Sequence, residues 1–171
     1  MLLALSRLFL AICLLKKGPQ DVPKSNILSS IVLFLYALVA FLMLYDQEHQ
    51  ISVVLIEIGF EIILVMGFIA LLLLVSGKLA RYQQAMTALL GTDALISFFA
   101  LPPMYLQVSG RGAEVLILTI LGLTLWHWVV CGHIIRHALG QSFPFGLGVA
   151  FLYIIVTYQL MNWFAEIVAA F

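Results

Sequence analysis

Charged side chains are scarce in this chain. Asp, Glu, Lys and Arg make up 9% of the 171 residues, the formal net charge is zero, and 64% of residues are hydrophobic. A soluble domain is about 25% charged and about 45–50% apolar, so this composition excludes an ordinary water-soluble fold. With no net charge and no basic patch interleaved with aromatics, nucleic acid is not expected as a partner. Cysteine is nearly missing as well. Cys13 and Cys131 form no zinc-type spacing and no disulfide framework, and both read as small apolar fillers. There is no Gly-Xaa-Ser-Xaa-Gly elbow, no P-loop and no Ser/Lys or Cys/His pair at a nucleophile's spacing, so no enzymatic activity is expected. A clear internal repeat and a low-complexity linker are also lacking.

What the chain does have is long apolar runs. Residues 51–77, ISVVLIEIGFEIILVMGFIALLLLVSG, exceed the about 20 apolar residues that cross a bilayer. Comparable runs lie at 26–45, from about 82 to the prolines at 102 and 103, at 114–135 and at 145–164. They predict an all-α polytopic membrane helix bundle with five transmembrane helices. Residues 26–164 form the transmembrane domain and 165–171 a short tail. Residues 1–15 are too short for a span and carry Arg7 inside the run and Lys16 and Lys17 after it, without a cleavage site, so residues 1–25 predict an interfacial helix and turn. Ser25 or Asn26 is placed to cap the first span, and Pro102 and Pro103 should end or kink the third. The third run, with Thr87, Gly91, Thr92, Asp93 and Ser97, is the least apolar of the five.

Charge order sets the expected topology. Arg7, Lys16, Lys17, Lys24, Lys78, Arg81 and Arg136 fall on one side of a five-span chain, and only Arg111 on the other. By the positive-inside rule the N-terminus is cytoplasmic and the C-terminus opposite, with a bacterial inner membrane as the expected location. The partners expected are the lipid bilayer and other membrane proteins or the chain itself.

A charged carboxylate at mid-bilayer depth costs about 2.5–3.5 kcal/mol or more, so Glu57 and Glu61 should face protein. Spaced i and i+4, they share one helix face, about 40° apart. At 1.5 Å per residue, Glu61 lies about 15 Å into its run, Asp93 near the middle of the third run and His127 about 20 Å past Glu114. These similar depths predict that Glu61, Asp93 and His127, with Glu57 one turn away, form a polar intramembrane cluster. The chemistry open to it is a proton or cation relay or a metal site. The plainer alternative is a hydrogen-bonded polar core, with a neutral Glu57 or Glu61 bonded to backbone or to Thr92. His133 and His137 also stand at i, i+4, but HIIRH lacks the glutamate of HExxH and a third ligand, which leaves them weak zinc candidates. Bis-histidine haem needs facing helices, whereas His127, His133 and His137 share one and His49 sits in an outer loop. No cofactor is expected.

The stretch GKLARYQQAMTALLGTDALISFFALPP (77–103) resembles the Yip-domain family, in which a Gly- and aromatic/Gln-containing segment opens the third span and a proline closes it. The segment WHWVVCGHIIRHALGQSFPFGLGVAF (126–151) resembles the family's last helix, turn and span. The five-span count and cytoplasmic N-terminus agree, over about residues 26–164. The long N-terminal region of eukaryotic members has no counterpart in this sequence, and Glu57 and Glu61 match no family motif. The resemblance implies a non-enzymatic role in partner binding, membrane organisation or assembly. The competing reading is a small oligomeric proton- or cation-coupled transporter or channel built on Glu57, Glu61, Asp93 and His127.

Overall fold

A computed structural model describes residues 2–45, 50–108 and 113–169. The loops expected to hold His49 and Arg111 lie outside the described residues. Those residues form six helices: α1 (Leu2–Cys13), α2 (Asn26–Leu44), α3 (Ile51–Val75), α4 (Tyr82–Val108), α5 (Ala113–Leu139) and α6 (Phe143–Ala169), with short 3₁₀ turns at Pro19–Asp21 and Leu79–Arg81. No strand occurs among them. Five helices, α2 to α6, are long and apolar enough to cross a membrane.

α4 is the axis of the bundle. Of its apolar stretch 67% is buried, against 17–28% for the other four long helices. Its small residues make this possible: Ala85, Ala88 and Gly91 let neighbours approach, and Thr87 and Thr92 are buried with them. Polar contacts fasten α2 to it. The Ser29 and Thr87 hydroxyls are hydrogen-bonded at 2.8 Å, and Gln83 Nε2 donates to Asn26 Oδ1 at 2.8 Å. Ser25 caps α2 by accepting from the Leu28 N–H.

α1 packs into one end of the bundle. Phe9, Ile12 and Cys13 are buried against α4 and α5 while Arg7 stays exposed. Phe9 lies so close to Gly91 that a Cβ there would come within 2.3 Å of its ring. Further bonds pin the segment: Trp126 Nε1 donates to Cys13 O at 2.9 Å, and Gln84 Nε2 donates to Val22 O at 2.8 Å.

Several boundaries depart from expectation, and α6 runs to Ala169, into the 165–171 expected as a tail. α4 continues through Pro102 and Pro103 to Val108 instead of stopping there. The helix passes the prolines at the cost of their two missing N–H donors. α5 runs on to Leu139 and α6 starts at Phe143, so the turn between them is shorter than the 136–144 expected. Gly140, at φ +63°, makes that turn. The two helices then cross backbone to backbone, since a Cβ on Gly146 would sit 2.3 Å from Gly132 O.

The basic residues gather at the α1 end of the bundle. Lys78 Nζ donates to Leu139 O, Arg81 donates to His137 O at 3.1 Å and Ala138 O at 3.0 Å, and Lys24 donates to Ala80 O at 3.0 Å. Cations on the last carbonyls of α5 answer both the unpaired acceptors and the negative end of the helix dipole.

Candidate functional site

Glu61 on α3, Asp93 on α4 and His127 on α5 line one cavity of about 520 Å³, together with Tyr36 of α2 and Tyr153 of α6. Depth arithmetic alone had placed the first three at one level. Tyr36 and Tyr153 were missed because tyrosine in an apolar run gives no charge signal. The Tyr36 hydroxyl and the Glu61 carboxylate interact across the cavity. Glu57 does not line the cavity; it lies one helical turn from Glu61 and is half-buried. Thr92 is not the partner of either glutamate. Its hydroxyl bonds back to Ala88 O and Leu89 O, both at 2.9 Å.

The cavity has a direction. Its walls come from the last turns of α2 (Val39, Ala40, Met43, Leu44), from α4 between Asp93 and Ala100, from α5 between Ile120 and His127, and from α6 as far as Met161. It therefore leads from the polar residues towards the end of the bundle away from α1. On the other side of those residues lies a layer of apolar side chains, Ile69, Leu73, Leu89, Leu90, Val130, Ile134 and Ile12, fully buried in one core, and past it, at the α1 end, a smaller pocket of about 220 Å³ lined by Gln20, Arg81, Gln84 and His137 among others. The cavity is thus apolar-walled, polar at its floor, and blind.

At the floor, His127 Nε2 lies 2.9 Å from Asp93 Oδ1 and 3.1 Å from Cys131 Sγ. Asp93 is 8% exposed, and its Oδ1 receives no hydrogen bond of good direction. Cys131 is completely buried and follows His127 by four residues, so one face of α5 offers both side chains to α4. The signal was present as HWVVC, but a cysteine measured against zinc-finger spacings hides a pair that a helix brings together. Sγ and Oδ1 converge on the same ring nitrogen. A thiol nucleophile relay needs them on opposite nitrogens, one to lose its proton and one to orient the ring, so the trio is not arranged as one. Trp126 and Trp128 point away from His127, as their positions in sequence require. Trp126 bonds Cys13, and Trp128 Nε1 donates to Leu147 O at 2.9 Å.

His133 and His137 do meet, with ring centroids 4.5 Å apart, yet both are engaged elsewhere. His133 Nε2 is 2.9 Å from Lys17 O, and the Arg136 guanidinium donates to His137 Nε2 at 3.2 Å. Among the described residues no third metal-binding group joins them.

Cys13 stands behind the site on α1. Burial pushes its thiol up to about 12, and the nearby Asp93 and Cys131 add to the effect.

No known protein family, curated protein or solved structure matches the chain.

Proposed function

We propose that the chain is a non-enzymatic integral membrane protein that works by binding, in a Yip-like role of partner capture, membrane organisation or assembly. α2 to α6 cross the bilayer, with the N-terminus cytoplasmic in a bacterial inner membrane and the cavity opening on the opposite side. Exposed apolar side chains along the outer faces, such as Ile63, Leu118 and Leu152, support insertion because lipid would cover them. The basic cluster at the α1 end supports the orientation.

The single observation that carries binding over transport is the blind floor. A conducting pathway needs continuous polar or wet surface on both sides of Glu61, Asp93 and His127, and a fully buried apolar layer parts them from the small pocket at the α1 end. A pocket of this size, apolar with a few convergent polar groups at its end, suits a guest that enters apolar body and polar tip together. The test pairs two measurements on the full chain. Proteoliposomes should show no proton or monovalent-cation flux above protein-free vesicles. A photo-crosslinking residue at Ala40 or Ala100 should capture a discrete species in cells, while one at the outward Leu118 captures bulk lipid only. Flux that vanishes in Glu61→Gln and Asp93→Asn would replace this reading with the transporter.

A further inference from the structure

We infer that Asp93, His127 and Cys131 form a site for a single borderline-soft divalent cation of the zinc class, with its open coordination position facing the cavity. This goes beyond the binding role above and stands on different observations. The donor atoms, a carboxylate oxygen, an imidazole nitrogen and a thiol sulfur, all lie within 4.8 Å of one another. They come from two helices whose packing fixes them, with His127 and Cys131 one turn apart on α5 and Asp93 on α4. The second, independent observation is Asp93 Oδ1. It is buried, faces the cavity floor, and receives no well-directed hydrogen bond. With only the His127 imidazole beside it at 2.9 Å and no hydrogen bond to satisfy it among the described residues, this buried oxygen has acceptor capacity to spare.

The dimensions suit the ion. Zinc bonds of about 2.0–2.3 Å in a tetrahedron place neighbouring ligand atoms about 3.4–3.6 Å apart. The observed 2.9 Å and 3.1 Å are hydrogen-bond separations. Opening each by about 0.5 Å, through small side-chain rotations, admits the ion. Charge also balances. Thiolate, carboxylate and neutral imidazole around a divalent cation sum to zero, which removes the main penalty for ions in apolar surroundings. Binding displaces the thiol proton of Cys131, which leaves through the cavity, so affinity rises with pH. Asp93 and His127 both line the cavity, which supplies the route for the ion, and Cys131 closes the site from behind. The sulfur selects against magnesium and calcium. Three protein ligands leave a fourth position for water or for the polar tip of a guest.

The experiment uses the full chain purified in detergent, stripped with chelator and reloaded with Co²⁺ or Zn²⁺. One equivalent of Co²⁺ should bind and give a thiolate-to-cobalt charge-transfer band. X-ray absorption of the Zn²⁺ form should find one sulfur at about 2.3 Å among nitrogen and oxygen ligands. Cys131→Ser should abolish the band and weaken binding by more than the about 10–100-fold that loss of an outer-shell partner costs, while Cys13→Ser keeps both. Sub-stoichiometric binding would overturn the inference. So would coordination without sulfur, as a site at His133 and His137 would give, or a Cys131→Ser protein that binds like wild type. If Cys131→Ser does not fold, the absorption spectrum of the wild-type protein decides alone.

Discussion

Burial makes single atoms matter at the cavity floor. Asp93 has His127 Nε2 beside it at 2.9 Å, and removing one member of a buried polar pair leaves the other without its partner. His127→Leu should therefore destabilise the metal-free protein by about 3–5 kcal/mol, read from unfolding in detergent. Asp93→Asn combined with His127→Gln should cost less than the sum of the two single changes, because the double variant strands no charge. A purely additive cycle would mean that the two groups do not interact. Cys13 provides the contrasting case. With its thiol near 12 in place of the usual 9.0, its thiolate fraction at pH 8 is about a thousandfold lower than that of an ordinary thiol. It should resist maleimide in the folded chain and react once the chain is denatured. Rapid labelling of Cys13 in the native protein would show that α1 is not docked as described.

The helices are joined at points where a side chain would not fit. Gly91 receives the Phe9 ring, and Gly146 receives the backbone of α5. Gly146→Ala has no flexible neighbour to displace, so it should force α5 and α6 apart and cost about 1–3 kcal/mol or more. Gly91→Ala meets a side chain instead, and replacing Phe9 with a smaller residue should recover part of its loss; unfolding midpoints of the four single and double variants test both statements. Much at this scale could be read in the sequence. The apolar runs gave the five long helices to within a few residues, but the carboxylates of residues 51–77 drew attention to that run, whereas α4, in sequence only the least apolar, is the helix the others pack around. The run through Pro102 and Pro103 could not be read, because proline's local cost is legible and the backbone demand of its surroundings is not. The docking of α1 was hidden for a similar reason: its twelve residues look too short to matter until Gly91 supplies the matching hollow.

For the whole molecule, sequence spacing placed Glu61, Asp93 and His127 at one level because helical rise converts residue number into depth. Rotation about each helix axis decides the rest, and that depends on packing. It excluded Glu57 from the cavity and admitted Tyr36, Tyr153 and, behind the floor, Cys131. The central claim is that a cavity open at one end stops at these groups and that a layer of buried apolar side chains separates it from the smaller pocket at the α1 end. A cysteine scan along α4 with a membrane-impermeant maleimide, applied separately to each side of sealed vesicles, tests it most directly. Cysteines at Ala94, Ser97 and Ala100 should label from the side opposite α1, and those at Ala88 and Leu89 from neither side. Labelling at Ala88 or Leu89 from the α1 side would reveal a through-path and contradict the account.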